Sequence, residues 1–286
     1  MSDYLPADKA LAIAQTIGEE FEKRLTDLGR YQIPPSQRND AKSIACHRYQ
    51  PPQNKPSECQ LSMSIGVLIT AYNTPIYYAQ DLTEQLLKSA KARAKELKKH
   101  YHYYGGTVDF LVMKSVTMIS SKIASFRKEG LTKSIKDNQK LKLHAAPYTL
   151  HELGGLLQTA AAIKESGFPR SQLYQIRSLL ERGKNTAILN YRYFRVRLGS
   201  KEQQLLQQKF EDAWCQAKTN DGNLAPWMYL QSPEKKEEKS AIYETIWREL
   251  VDLYPFIEVT ENVDAKIQDT DRLNVGAKHS GDNLST

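Results

Sequence analysis

The amino-acid sequence predicts an α+β fold, because strand-like and helix-like patterns are mixed in its first 115 residues and mainly helix-like patterns follow. Two runs of apolar and β-branched residues, 61–71 and 107–113, have the length of strands. Each run is preceded by a stretch with apolar residues three and four positions apart, at 7–28 and 75–99. The order helix, strand, helix, strand is typical of helices layered on a sheet.

The first helix pattern ends near Gly29, a residue type that is common just after a helix. One face of this helix carries apolar residues, namely Leu11, Ala14, Ile17, Phe21 and Leu25. Five prolines among polar residues at 30–60 predict an exposed, irregular insertion. The run 61–71 is continuously apolar, so we predict a buried strand there. The helix at 75–99 ends in a cluster of lysines.

We divide the chain into a domain at 1–115, a connector at 116–147, a helical domain at 148–260 and a disordered tail at 261–286. Two strands alone make a poor sheet, so the first domain either lacks a piece or has short strands within 30–60. Thr149 and Glu152 predict a capping box at the start of the helical domain. Residues 187–198 fit both strand and helix spacing, and the neighbouring helices favour a helix. Further helices are predicted at 203–217 and 240–254.

Composition restricts the classes of partner and compartment. Lys and Arg total 40 against 33 Asp and Glu, and the net charge of +7 favours anionic partners such as RNA or nucleotides. The three cysteines show no CxxC spacing, so neither a disulfide framework nor a zinc ribbon is predicted. No apolar run approaches the length of a membrane span. We therefore expect a soluble, cytoplasmic protein without a membrane partner.

Several short motifs follow one another in an order that resembles a known palm domain. They are Ser-Met-Ser-Ile-Gly-Val-Leu-Ile at 62–69, Thr-Pro-Ile at 74–76, Leu-Leu-Lys-Ser-Ala-Lys-Ala-Arg-Ala-Lys at 86–95 and Val-Asp-Phe at 108–110. This order is similar to the later half of the palm shared by diguanylate cyclases and the large subunit of type III CRISPR effector complexes. Residues 145–153 and 167–174 resemble the C-terminal helical domain of that CRISPR subunit, which diguanylate cyclases lack. The resemblance implies a partial ferredoxin-like, nucleotidyl cyclase-like palm followed by an α-helical domain.

The resemblance also implies candidate binding residues. In this palm the helix corresponding to 78–99 supplies cations to nucleotide phosphates, so Lys91 and Lys95 are candidates, although a solvated helix face explains them too. Ser64 lies where the family has a small residue near the nucleotide; a buried strand hydroxyl is the alternative. Arg170 is a candidate for the contact between the palm and the helical domain, or an ordinary surface arginine.

Further along the chain, basic and aromatic residues alternate. Arg177, Arg192 and Arg195 are candidates for binding RNA or a partner, since arginines interleaved with aromatic rings can bind phosphates and stack on bases. The aromatic residues in this stretch are Tyr174, Tyr191, Tyr193 and Phe194. We expect half of them to belong to the core instead.

The chain departs from the family at the catalytic carboxylates. The family's polymerase chemistry uses a Gly-Gly-Asp-Asp hairpin before the helix at 7–28, and this sequence starts after that point. The segment from Gly105 to Asp109 offers only one carboxylate. We therefore expect no catalysis by the chain alone and no metal ligands. ATP with Mg²⁺ or Mn²⁺ would bind only if a partner completed the palm.

Three functions remain open from the sequence. The first is a split or truncated large subunit of a type III CRISPR antiviral ribonucleoprotein, half of an oligoadenylate synthase, with effector subunits, a palm half carrying the Gly-Gly-Asp-Asp motif, and guide and target RNA as partners. The second is a non-catalytic scaffold of that RNA complex, and the third is a stand-alone nucleotide-binding sensor. Separately, Cys46, His47 and Cys59 offer three potential metal ligands at an unfamiliar spacing.

Overall fold

A computed structural model describes residues 5–50, 59–114, 122–135, 139–216, 224–230 and 241–257. The α+β class is confirmed in these residues. The helices are α1 Ala10–Asp27, α2 Asp40–Ala45, α3 Ile76–Tyr101, α4 Ile123–Gly130, α5 Leu150–Glu165, α6 Arg170–Leu180, α7 Lys184–Val196, α8 Ser200–Leu206 and α9 Trp247–Leu253. The strands are β1 Ser64–Ile69, β2 Thr107–Val112, β3 Thr132–Ile135, β4 Gln139–Lys142, β5 Tyr148–Thr149, β6 Met228–Leu230 and β7 Ile242–Glu244.

A three-stranded sheet in the order β1-β2-β5 forms the N-terminal layer. Strands β1 and β2 are parallel over their full lengths, from the pair Ser64 and Thr107 to the pair Ile69 and Val112. Helix α3 is the crossover between them, as parallel neighbours require. Strand β5 pairs antiparallel with the first two residues of β2. Both strands and both helices expected in this part of the chain are therefore present.

Gly66 allows α3 to pack unusually close to β1. A Cβ atom at this position would lie 2.6 Å from the backbone nitrogen of Leu87 and 2.7 Å from the carbonyl oxygen of Thr83. Those atoms belong to the helix backbone and cannot move away as a flexible side chain would. The Ser-Ile-Gly motif thus sets the distance between the strand and the helix that carries Lys91 and Lys95.

The prolines of 30–60 predict an exposed insertion, but the described part of this segment reaches the core. It contains a short 3₁₀ turn at Pro35–Gln37 and helix α2, whose first turn is capped by the Asn39 side chain. The four residues after α2, 46–49, are buried. They enter the interior because Arg48 finds several acceptors there. Residues 51–58, which hold three of the prolines, lie outside the described residues.

The predicted connector 116–147 contains regular structure where it is described. Helix α4 is followed by β3 and β4, which belong to a second sheet in the order β3-β4-β7-β6. Strand β4 is parallel to β7, with Leu141 opposite Tyr243. This pairing joins residues about one hundred positions apart, so no local pattern predicts it.

Helices α5 to α9 follow, and two expectations about them are confirmed. The capping box at the start of α5 has both of its hydrogen bonds, between Thr149 and Glu152, and α7 is a helix. Two helices have boundaries that differ from the expected ones. The first begins at Ser200 and continues beyond α8 as a π turn at Gln207–Asp212. The helix expected from residue 240 begins only at Trp247, because Ile242–Glu244 is β7.

One hydrophobic core extends from the three-stranded sheet into the helices. Val108 and Phe110 of β2 belong to the same buried cluster as Leu153 of α5, Trp214 and Trp247. Among the described residues, no helix combines the length and the apolar character that crossing a bilayer requires. The predicted tail 261–286 lies outside the described residues.

Arg48 is the polar centre of this core. Its guanidinium donates to both carboxylate oxygens of Glu152, at 2.9 and 2.6 Å, and to Glu244 at 3.0 Å. It also donates to the carbonyl oxygens of Ala145 and Pro147, and it lies over the Tyr148 ring. These contacts join three parts of the chain that are distant in sequence: residue 48, residues 145–152 and residue 244.

We predict that Arg48→Met destabilises the protein by about 3–5 kcal/mol, because two buried carboxylates would lose their shared cation. Equilibrium unfolding in urea measures the loss. Arg38→Met is the matched control, since Arg38 pairs with Asp40 at the exposed surface and should contribute about 1 kcal/mol or less. Equal losses in the two variants would contradict the central role of Arg48.

Candidate functional site

Strand β1 has an open edge. On the side away from β2 it pairs with no other strand in the described part of the chain. Only its last residue, Ile69, is fully buried, whereas five of the six residues of β2 are. Tyr72 and Tyr77, just beyond β1, are almost completely exposed, and Ile17 of the adjoining helix α1 is half-exposed. An unpaired strand edge with exposed apolar neighbours is a typical surface for adding another strand.

The polar atoms at this edge belong to alternate residues. Met63 and Ile69 direct their carbonyl oxygens toward β2, where they accept from Thr107 and Met113. Because backbone groups alternate along a strand, the N–H and C=O groups of Ser64, Gly66 and Leu68 point to the open side. The edge therefore offers three residues for pairing with a further strand.

Ser64 lies at the amino end of β1, inside the contact between sheet and helix. Its hydroxyl is 3.2 Å from the hydroxyl of Thr107, which donates to the carbonyl oxygen of Ala90 at 2.9 Å. The side chain is half-buried. This geometry gives Ser64 a structural hydrogen bond, and it places Ser64 beside the turn of α3 that carries Lys91.

Lys91 and Lys95 extend into solvent from α3. The opposite face of this helix, with Leu86, Ala90 and Leu97, is completely buried. Neither lysine makes an ion pair with the described residues. Lys88 and Lys98 also lie on the exposed side of the helix, and Lys98 stacks over the ring of Tyr104. Lys91 therefore lies on the turn of α3 beside the amino end of β1, and its side chain is exposed.

The carboxylate of Asp109 is not available as a metal ligand. It is fully buried on β2 and receives two parallel hydrogen bonds from Arg127, at 2.7 and 2.6 Å. In the described parts of the chain, no three His, Cys, Asp or Glu side chains come together as a metal site. The Asp109 carboxylate is thus held by Arg127, whereas Lys91 and Lys95 are exposed.

The arginines expected to bind RNA or a partner have different environments. Arg170 lies over the Tyr254 ring, Arg177 pairs with Asp252 at 3.0 Å and Arg195 pairs with Glu211 at 3.0 Å. Arg192 is exposed on α7. Among the neighbouring aromatic residues, Tyr191 and Phe194 are buried, while Tyr174 and Tyr193 are partly exposed. Half of these aromatic residues therefore belong to the core, as expected.

The sequence did not predict the buried polar network of Arg48, Glu152 and His47, apart from the capping role of Glu152. Burial by itself would raise the pKa of Glu152, but the charge and hydrogen bonds of Arg48 lower it to about 2. Burial lowers the pKa of His47 to about 4, so this imidazole is neutral at pH 7 and lies 2.9 Å from the Thr149 hydroxyl. The capping-box pattern was the only sequence signal for this network.

Glu249 is a buried carboxylate whose hydrogen bonds come from neutral groups. It accepts from the backbone N–H groups of Ala145 and Ala146, at 2.9 and 3.0 Å, and from the Tyr148 hydroxyl. Burial raises the pKa of Glu249 to about 7, although these hydrogen bonds oppose the shift. The ionised form is thus costly in the folded state at and above neutral pH.

We predict that Glu249→Gln flattens the pH dependence of stability. The folded-state pKa lies above the unfolded one, so the stabilising contribution of protonated Glu249 is complete below pH 4.5 and is lost as the pH rises through 7. Between pH 5 and 8 the variant should gain up to about 3 kcal/mol relative to the natural protein. Urea unfolding across this range measures the gain, and parallel pH profiles would contradict it.

No family model matches the chain, and no curated protein matches it. The function proposed below therefore rests on the motifs and on the geometry of the described residues.

Proposed function

We propose that this chain supplies the nucleotide-phosphate-binding half of an oligoadenylate-synthesising palm, within a type III CRISPR antiviral ribonucleoprotein. A second palm half, which bears the metal-binding carboxylates, would add a strand to the open edge of β1. The observation that carries this proposal is the unpaired edge of β1, together with the solvent-facing lysines of α3, the helix that packs on this strand. Strand β1 and helix α3 also carry the motifs at 62–69 and 86–95 that resemble the later half of a palm.

The residues of this chain would bind and orient the nucleotide. Lys91 and Lys95, four residues apart on α3, are one helical turn apart and direct two ammonium groups to the same side. They would neutralise triphosphate oxygens, while the hydrogen bonds from Ser64 to Thr107 and on to Ala90 hold the strand against this turn of the helix. Divalent metal ions held by the other half would align the attacking hydroxyl with the phosphate.

A second candidate function is a non-catalytic scaffold of the RNA complex. It is favoured by the outer face of α7, where Leu189, Tyr193 and Val196 are 65%, 59% and 76% exposed. Arg197 stacks on Tyr193 at 4.3 Å, so the face has basic as well as apolar character. A surface of this kind suits docking, and it does not require the palm to take part in catalysis.

The first test of this proposal addresses the strand edge. In the free chain, the amides of Gly66 and Leu68 should exchange with deuterium faster than those of Ile65 and Val67, which face β2. Binding of the carboxylate-bearing half should slow the exchange at Gly66 and Leu68 and leave the other two unchanged. Residue-resolved hydrogen exchange measures this. Uniform exchange, or protection confined to the helical domain, would argue against strand addition.

The second test separates the two functions. Lys91→Gln with Lys95→Gln should keep assembly of the ribonucleoprotein and reduce oligoadenylate synthesis by about tenfold or more, because two phosphate-binding charges are removed. Lys23→Gln with Lys128→Gln is the control, since both lysines are exposed on other helices. Unchanged synthesis in the first variant would favour the scaffold.

A further inference from the structure

Three cations from distant parts of the sequence surround one carboxylate. Lys114, just after β2, approaches Asp252 at 2.8 Å, and Arg177 of α6 approaches it at 3.0 Å. Arg248, on the same helix as Asp252, is 3.7 Å from the other carboxylate oxygen. The cluster lies at the carboxyl end of β2, at the opposite end of the sheet from Ser64. It is therefore separate from the proposed nucleotide site.

The charges in this cluster do not balance. Asp252 neutralises one of the three cations, and the exposed Glu181 at the end of α6 acts at longer range on Arg248. Glu249 also acts on Arg248 at longer range, while its oxygens accept from Ala145, Ala146 and Tyr148. Within ion-pair distance, the three cations share the single carboxylate of Asp252.

Of the three cations, Arg248 has the fewest acceptors for its N–H groups. Its side chain is only 14% exposed, yet it makes no hydrogen bond to the described residues. Burial lowers the pKa of Arg248, and the nearby Asp252 only partly offsets this cost. A guanidinium has five N–H donors, and those of Arg248 are not among the buried, unpaired polar atoms of the described residues, so solvent reaches them. These donors are therefore open to an acceptor from solution.

A cavity lies beside these donors. It has a volume of about 30 Å³ and is lined by Arg248, Asp252 and Glu249 together with Phe110, Arg127 and His144. Because Arg127 is already committed to Asp109, Arg248 contributes the free donors of the wall. Lys114 and Arg177, whose side chains are 38% and 23% exposed, pair with Asp252, which lines this cavity. Its size admits one or two polar atoms of a ligand rather than a whole molecule.

We propose that Lys114, Arg177 and Arg248 form a binding site for a phosphate-type oxyanion. One oxygen would accept from Arg248 at the cavity wall, and the remaining oxygens would face Lys114 and Arg177, which pair with the same carboxylate as Arg248. Planar guanidinium groups suit this geometry, because they can donate two parallel hydrogen bonds to an oxyanion. The ligand would be free phosphate or a phosphate of an RNA backbone. The site does not depend on the palm being complete.

The test uses the full chain and inorganic phosphate. Thermal unfolding is followed as phosphate replaces chloride at constant ionic strength. We expect the Tm to rise and then saturate, as it does when a ligand binds the folded state. In Arg248→Gln the phosphate concentration at half saturation should rise about tenfold or more, because a charged hydrogen-bonding partner is lost. Arg182→Gln is the control, an exposed arginine just beyond α6, and it should behave like the natural protein.

Several outcomes would contradict the proposed phosphate site. A linear rise in Tm, equal in all variants, is the general effect of an excluded salt. Saturation that is the same in Arg248→Gln means an adventitious ion only. If Arg248→Gln does not fold, the same phosphate titration is carried out on Lys114→Gln and Arg177→Gln, because these side chains are more exposed. A short single-stranded RNA that competes with phosphate identifies a backbone phosphate as the ligand, and an RNA that does not compete identifies free phosphate.

Discussion

The guanidinium of Arg48 holds together parts of the chain that local structure would leave separate. It contacts the start of α5 through Glu152, the turn at Ala145 and Pro147, and the end of β7 through Glu244. Removing these charges from water is costly, and the cost is offset only because nearly every donor has an acceptor. Once Arg48 is in place, the three-stranded sheet, the second sheet and the helices can share one core.

This shared core fixes the two ends of the sheet relative to the helices. At the amino end of β1, close packing at Gly66 brings the turn of α3 with Lys91 beside Ser64. At the carboxyl end of β2, Lys114 meets Arg177 and Arg248 around Asp252. Both ends therefore present cations, one group fully in solvent and the other partly buried. These two ends of the sheet are the places where we propose that phosphate groups bind.

The open edge of β1 is the feature that connects the fold to the proposed function. A strand with partly exposed apolar residues and three residues facing outward is an incomplete layer. The order of motifs resembles the later half of a palm, and an added strand bearing carboxylates would complete both the sheet and the chemistry. Asp109 is held by Arg127, so in this proposal the metal-binding carboxylates would come from the other half.

The sequence by itself determined the α+β class, the strands β1 and β2, the crossover helix α3, the capping box of α5 and the helical state of α7. These features follow from local spacing, from turn residues and from a capping pair three residues apart. Only the tertiary structure decided that 46–49 are buried, that the segment after residue 122 forms a helix and two strands, and that Asp252 gathers three cations. Each of these depends on partners far apart in the chain, such as Arg48 with Glu244 or Lys140 with Ile242. Local periodicity carries no information about such pairings, because a strand or a charge looks the same in sequence whichever distant partner it meets.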